Sequence, residues 1–261
     1  MPLNFQTRVG SIGFRENSYN DGDSVFELIA KAESGPRSLD VTGLPAEEDV
    51  RLQALLDAVG DRLHHFCYLY RSPVFMGVLM GPPPSRPSIA AMDLSRCTSL
   101  QTFYTSVNFF SLDADLRVTI CPMLRTLKVS DTLTQVVVTV WARQDLATRC
   151  NEDAARLSLS ELEDVVIALR DERGVLDFVF RLLYDRTTEH LPVECTAALH
   201  DALPRLTKAA GLRVVSKDVS SVTESSPGGL KRATQHSDAV MSLVSERVPP
   251  PVATSATVQA T

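Results

Sequence analysis

The chain predicts an α/β fold, an irregular solenoid of short parallel strands with helices or loops on the other side, followed by a tail without a core. Three observations predict it. Short β-branched or aromatic runs alternate with helical or loop segments along most of the 261 residues. Strand starts near Leu39, Leu63, Met92 and Leu124 are spaced by 24, 29 and 32 residues, so the units drift in length. The last 46 residues, 216–261, hold 14 Ser or Thr and the Pro249–Pro251 run, while all 16 aromatic residues lie upstream. A segment of that composition buries too little apolar surface to offset its ordering entropy. The expected organisation is a poorly defined segment over 1–24, a folded domain over 25–215 and a disordered tail over 216–261.

The elements follow in order. Val25 to Glu33 reads as a helix ended by Ser34-Gly35-Pro36. Ser38 to Thr42, SLDVT, alternates apolar and polar residues and reads as a short strand. Ala46 to Val59 is an amphipathic helix with Val50, Leu52, Leu55, Leu56 and Val59 on its apolar side and Gly60 after its end. Leu63 to Tyr70, LHHFCYLY, is rich in aromatic residues and reads as a strand. GPPPSRP at 81–87 is a stiff loop. Met92–Ser95, Leu100–Val107, Leu124–Ser130 and the β-branched Thr134–Trp141 are the next strand candidates. Leu162–Arg170, LEDVVIALR, reads as a strand buried on at least one face. Phe178–Tyr184 fits strand or helix. Val193–Leu203 reads as a helix stopped by Pro204, and Leu212–Val215 as a last short strand.

Residues 89–103 carry the repeat signature. Ile89, Met92, Leu94, Cys97, Leu100 and Phe103 follow I-x-x-M-x-L-x-x-C-x-x-L-x-x-F, the spacing of a leucine-rich repeat with cysteine at the turn. In such a unit the alternating pair points from a strand into the core. Met92 and Leu94 would do so, leaving Asp93 and Ser95 outside. LRTLKVSD at 124–131 gives the same scheme, with Leu124, Leu127 and Val129 inward and Lys128 and Ser130 outward. One unit cannot bury its apolar side alone, whereas stacked units share one core.

Composition narrows the function. Apolar residues make up 44% and charged residues 22%, the balance of a globular domain. A net charge of −6 argues against a nucleic-acid footprint. The apolar runs are too short to span a bilayer, and MPLNFQTRVGSIGF lacks the apolar core of a secretory leader. The five cysteines are odd in number, widely spaced and never in C-x-x-C pairs, which fits a reduced cytoplasmic or nuclear protein with neither disulfides nor a zinc site.

The run SGPRSLDVTGLPAEEDVRLQALLDAVGDRLHHFCYLYR, the element MDLSRCTSLQTF and the ending LPRLTKAAGLRVV together resemble basidiomycete F-box-like leucine-rich-repeat proteins over about residues 34–215. The resemblance implies an adaptor, in which an F-box docks a Skp-type subunit of a ubiquitin ligase and the repeats hold a target. Leu44-Pro45-Ala46-Glu47 matches the L-P-x-E start of an F-box, but no helix pair follows it and SLDVT immediately precedes it. The chain therefore reads as the repeat region without a clear F-box.

No catalytic, cofactor or metal constellation is expected. His64-His65-x-Cys67 has the elements of a metal site, but adjacent strand residues point to opposite faces and no second ligand cluster follows. Cys150 with His190 or His200 would be a nucleophile–base pair, yet ATRCNEDAAR offers nothing to activate a thiol. Glu161, Glu163 and Asp164 read as a solvated face. The expected function is a protein-interaction module whose outward positions Asp93, Ser95, Lys128 and Ser130, joined by Tyr68 and Tyr70, line a concave face. The alternatives are an enzyme on an irregular α/β scaffold and a truncated F-box protein.

Overall fold

The computed structural model describes residues 11–14, 36–42, 49–69, 92–107, 112–127, 132–142, 145–173, 176–184 and 189–219. Seven strands form one parallel sheet in the order in which they occur along the chain. They are β1 (Ser11–Phe14), β2 (Ser38–Thr42), β3 (His65–Leu69), β4 (Thr102–Ser106), β5 (Gln135–Trp141), β6 (Asp177–Tyr184) and β7 (Leu212–Asp218). A parallel neighbour cannot be reached by a tight hairpin, so each step needs a crossover. The described crossovers hold α1 (Asp49–Val59), α2 (Leu112–Ala114), α3 (Cys121–Thr126), α4 (Leu146–Cys150), α5 (Asp153–Arg173), α6 (Leu191–Ala202) and α7 (Pro204–Lys208). A π-helical stretch, Asp115–Ile120, joins α2 to α3, and the Cys121 N–H donates to the Leu116 carbonyl five residues back. No described helix is long and apolar enough to cross a membrane.

The register repeats from strand to strand. Ile12, Leu39, Phe66, Phe103, Val136, Phe178 and Leu212 form one row across the sheet. Side chains alternate between faces, so from Leu39 to Leu212 this row and the one two residues on share the inner face. That face carries Leu39, Val41, Phe66, Tyr68, Phe103, Val136, Val138, Phe178 and Phe180, all within 3% of full burial. Phe66 and Phe103 stack with centroids 5.9 Å apart, and Phe178 meets Phe180 edge-on at 5.5 Å. A backbone ladder sets the strand starts. The amides of His64 and His65 donate to the Arg37 carbonyl, those of Gln101 and Thr102 to His64, and those of Thr134 and Gln135 to Gln101. Just before each of these starts stands a buried leucine, Leu63, Leu100 or Leu133.

Helices cover the inner face. On α1, Leu52, Leu55, Leu56 and Val59 are buried at helical spacing. Val50, expected among them, is 78% exposed and lies off that stripe. Gly60 follows because a Cβ there would stand 3.0 Å from the Arg96 carbonyl carbon and oxygen. Helix α5 overturns the expected strand over Leu162–Arg170. Leu159, Leu162, Val166 and Leu169 recur every three or four residues and face the core, while Leu157 and Asp164 point away. The β-branched pair Val165-Val166 suggested a strand, and the longer period overrode it. Leu124 and Leu127 also face the core, but from the end of a helical segment with Leu116, Ile120 and Met123 rather than from a strand. Phe178–Tyr184 resolves as strand β6, and the short final strand extends to Asp218. Strand β1 lies within the 1–24 segment expected to be poorly defined.

The stretch 92–97 is not a strand. Met92, Leu94 and Cys97 are buried as the repeat spacing requires, yet the chain there runs through the helix layer. The Gln53 side chain on α1 clamps Asp93, accepting from its amide at 2.8 Å and donating to its carbonyl at 3.0 Å. Thr126 at the end of α3 accepts from the Leu94 amide at 2.9 Å and donates to the Met123 carbonyl. The strand of this unit is β4, whose Phe103 and Thr105 point inward.

The crossover before β7 is anchored by a buried carboxylate. Glu163 on α5 is 3% exposed. Its Oε1 accepts from the backbone amides of Arg205 at 2.7 Å and Leu206 at 2.9 Å, and its Oε2 from Arg205 Nε at 2.8 Å. Pro204 has no N–H, so Glu163 takes the next two amides of α7, which have no partner within the helix. Asp164 holds the other arm of the guanidinium at 2.6 Å, and the two carboxylates together raise the Arg205 pKa, Asp164 first. Glu163 is thus not part of a solvated face. The expected helix over Val25–Glu33, the 81–87 loop and the 220–261 part of the expected tail lie outside the described residues.

Candidate outer-face interaction site

The odd rows of the sheet face away from the helices. Across β2 to β6 the first of them reads Ser38, His65, Thr102, Gln135 and Asp177, and across β2 to β7 the next reads Asp40, Cys67, Tyr104, Val137, Val179 and Arg213. The first row is polar because it lies at the strand starts, where strand positions stay partly open. Hydrogen bonds run along it. His65 Nδ1 and Thr102 Oγ1 are 2.7 Å apart. Tyr104 reaches back from the second row and its hydroxyl donates to Gln135 Oε1 at 3.0 Å. Gln135 Nε2 donates to Asp177 Oδ2 at 2.9 Å, and Arg213 closes on the same carboxylate with Nε at 3.1 Å and a second, shorter contact from its terminal nitrogen. A bidentate guanidinium–carboxylate pair is geometrically specific as well as strong. It ties β7 to β6 and fixes both side chains in place.

Further along the strands the outer face turns apolar. Cys67, Tyr104, Val137, Val179, Leu183 and Val219 form a second buried cluster, separate from the main core, with Trp141 and Val215 partly buried against it. The Arg181 guanidinium lies over the Tyr104 ring, 5.7 Å from its centroid, a cation–π contact that holds a buried charge between Val179 and Leu183 within this patch. Burial, then the Asp40 carboxylate, pushes the Cys67 thiol up, while Arg181 pulls it down. Thr139 is 2% exposed on this face and its hydroxyl has no hydrogen-bond partner among the described residues.

The residues expected from the sequence to line the binding face fall elsewhere. Tyr68 points into the core, 3% exposed and stacked on Phe66 at 6.3 Å, because it shares the parity of Phe66 rather than of Cys67. Asp93 is exposed but on the helix side, where its carboxylate accepts from the Ser95 amide at 2.8 Å in a local turn, and Ser95 is half-buried beside it. Neither belongs to the sheet. Lys128, Ser130 and Tyr70 lie outside the described residues, as does Leu44-Pro45-Ala46-Glu47. The residues missed are His65, Thr102, Gln135, Asp177 and Arg213. Their signal was available: each sits one residue from a position of the Ile12-to-Leu212 row.

The His64 and His65 rings meet edge-on at 6.3 Å, and Cys67 is buried beside Asp40 and Arg181. Among the described residues no group of three or more His, Cys, Asp or Glu side chains could hold a metal ion. Cys150 is fully buried, and burial followed by the neighbouring Cys195 pushes its thiol up to about 12, the reverse of an activated nucleophile. His200 instead places Nδ1 3.0 Å from Thr207 Oγ1, and His190 is exposed. Burial also pushes the Cys97 and Cys121 thiols up to about 12.

The chain matches no protein-family model, no curated protein and no solved structure.

Proposed function

We propose that the protein is an interaction module, an irregular leucine-rich-repeat-like solenoid whose outer sheet face takes a protein partner, and that it is not an enzyme. The sheet supports the solenoid reading. Its strands follow one another in sequence order, all parallel, and β3, β4 and β5 each open on Leu-x-x-apolar: Leu63-x-x-Phe66, Leu100-x-x-Phe103 and Leu133-x-x-Val136. In a solenoid each unit contacts only its neighbours, and the sheet forms an extended surface.

The observation that carries the binding role is the polar row Ser38–His65–Thr102–Gln135–Asp177, closed by Arg213. It offers hydrogen-bond donors and acceptors of both charge signs, preset by their own network, across six strands. Further along the same face Trp141 and Val215 are partly buried. Polar groups beside aromatic and aliphatic side chains are the make-up of protein interfaces.

Affinity capture of the tagged full chain from its own cell extract tests this. Thr102→Arg and Lys217→Glu alter the outer face, whereas Leu157→Asp alters an exposed position on α5. The expected result is a specific protein retained by the wild type and by Leu157→Asp and reduced at least about tenfold, or about 1.4 kcal/mol, by either outer-face change. A Skp-type adaptor among the captured proteins would make the chain a ligase-adaptor relative. Equal capture by all variants would count against the outer face as the site.

A further inference from the structure

We draw no further inference here: the strongest candidate, the side-chain cluster of the outer face in which the buried Arg181 stands in register beside the equally buried Thr139, carries nothing because nothing in the structure shows what covers it.

Discussion

Phe103→Ala is expected to remove about 3–5 kcal/mol of stability. Phe103 is fully buried at the centre of the inner face, stacked on Phe66 and flanked in register by Val136. Truncation loses the transfer free energy of the ring and leaves a cavity that rigid strands on both sides cannot collapse into. Domains of this size are stable by only about 5–15 kcal/mol, so the urea midpoint should fall by about a fifth or more. The neighbouring pairs are what make the cost large, since the hole opens between units of one continuous core. A loss below about 1 kcal/mol would mean that the inner face is loosely packed.

Glu163→Gln is expected to cost about 2–4 kcal/mol, whereas Asp164→Asn should cost less than about 1 kcal/mol. The two residues are adjacent and touch the same arginine, but they differ in burial. The Glu163 side chain is 3% exposed and that of Asp164 63%. A glutamine at 163 keeps one acceptor oxygen and turns an amide donor toward the Arg205 side chain, so donor meets donor where a carboxylate had accepted three bonds. The surface pair between Asp164 and Arg205 is screened by water and contributes little. Urea melts of the two variants under one set of conditions make the comparison, and equal losses would contradict the anchoring role given to Glu163.

The sequence made some of this structure readable for specific physical reasons. SLDVT and TQVVVTVW declared themselves because β-branched residues and strict alternation leave few other conformations. The apolar positions of 92–103 are legible as buried and Leu100–Val107 as a strand, yet the repeat spacing assigns the unit's strand to Met92–Ser95, one step too early. Met92-x-Leu94 and Phe103-x-Thr105 present the same local pattern, and only the recurrence of Leu63, Leu100 and Leu133 ahead of the inner row separates them. That phase error carried the binding face with it, sending Asp93 and Ser95 to the wrong side. Tyr68 failed for a related reason. In a strand, one residue of offset reverses the face, and the inward parity of Phe66 already assigned Tyr68 to the core. LEDVVIALR misled because nine residues hold both patterns, whereas the 21-residue helix that contains it holds only the helical one. The role of Glu163 had no local signature, because its partners lie more than forty residues away.

The outer face is the proposed partner surface. Hydroxyl-radical footprinting of the full chain, alone and with a captured partner, measures this side chain by side chain. The expected result is protection of His65 and Trp141 on the outer face, with Leu157 and Val193 on the helices, 73% and 74% exposed, oxidised as before. Protection of Leu157 and Val193 with His65 and Trp141 unchanged would move the interface to the helix side and contradict it.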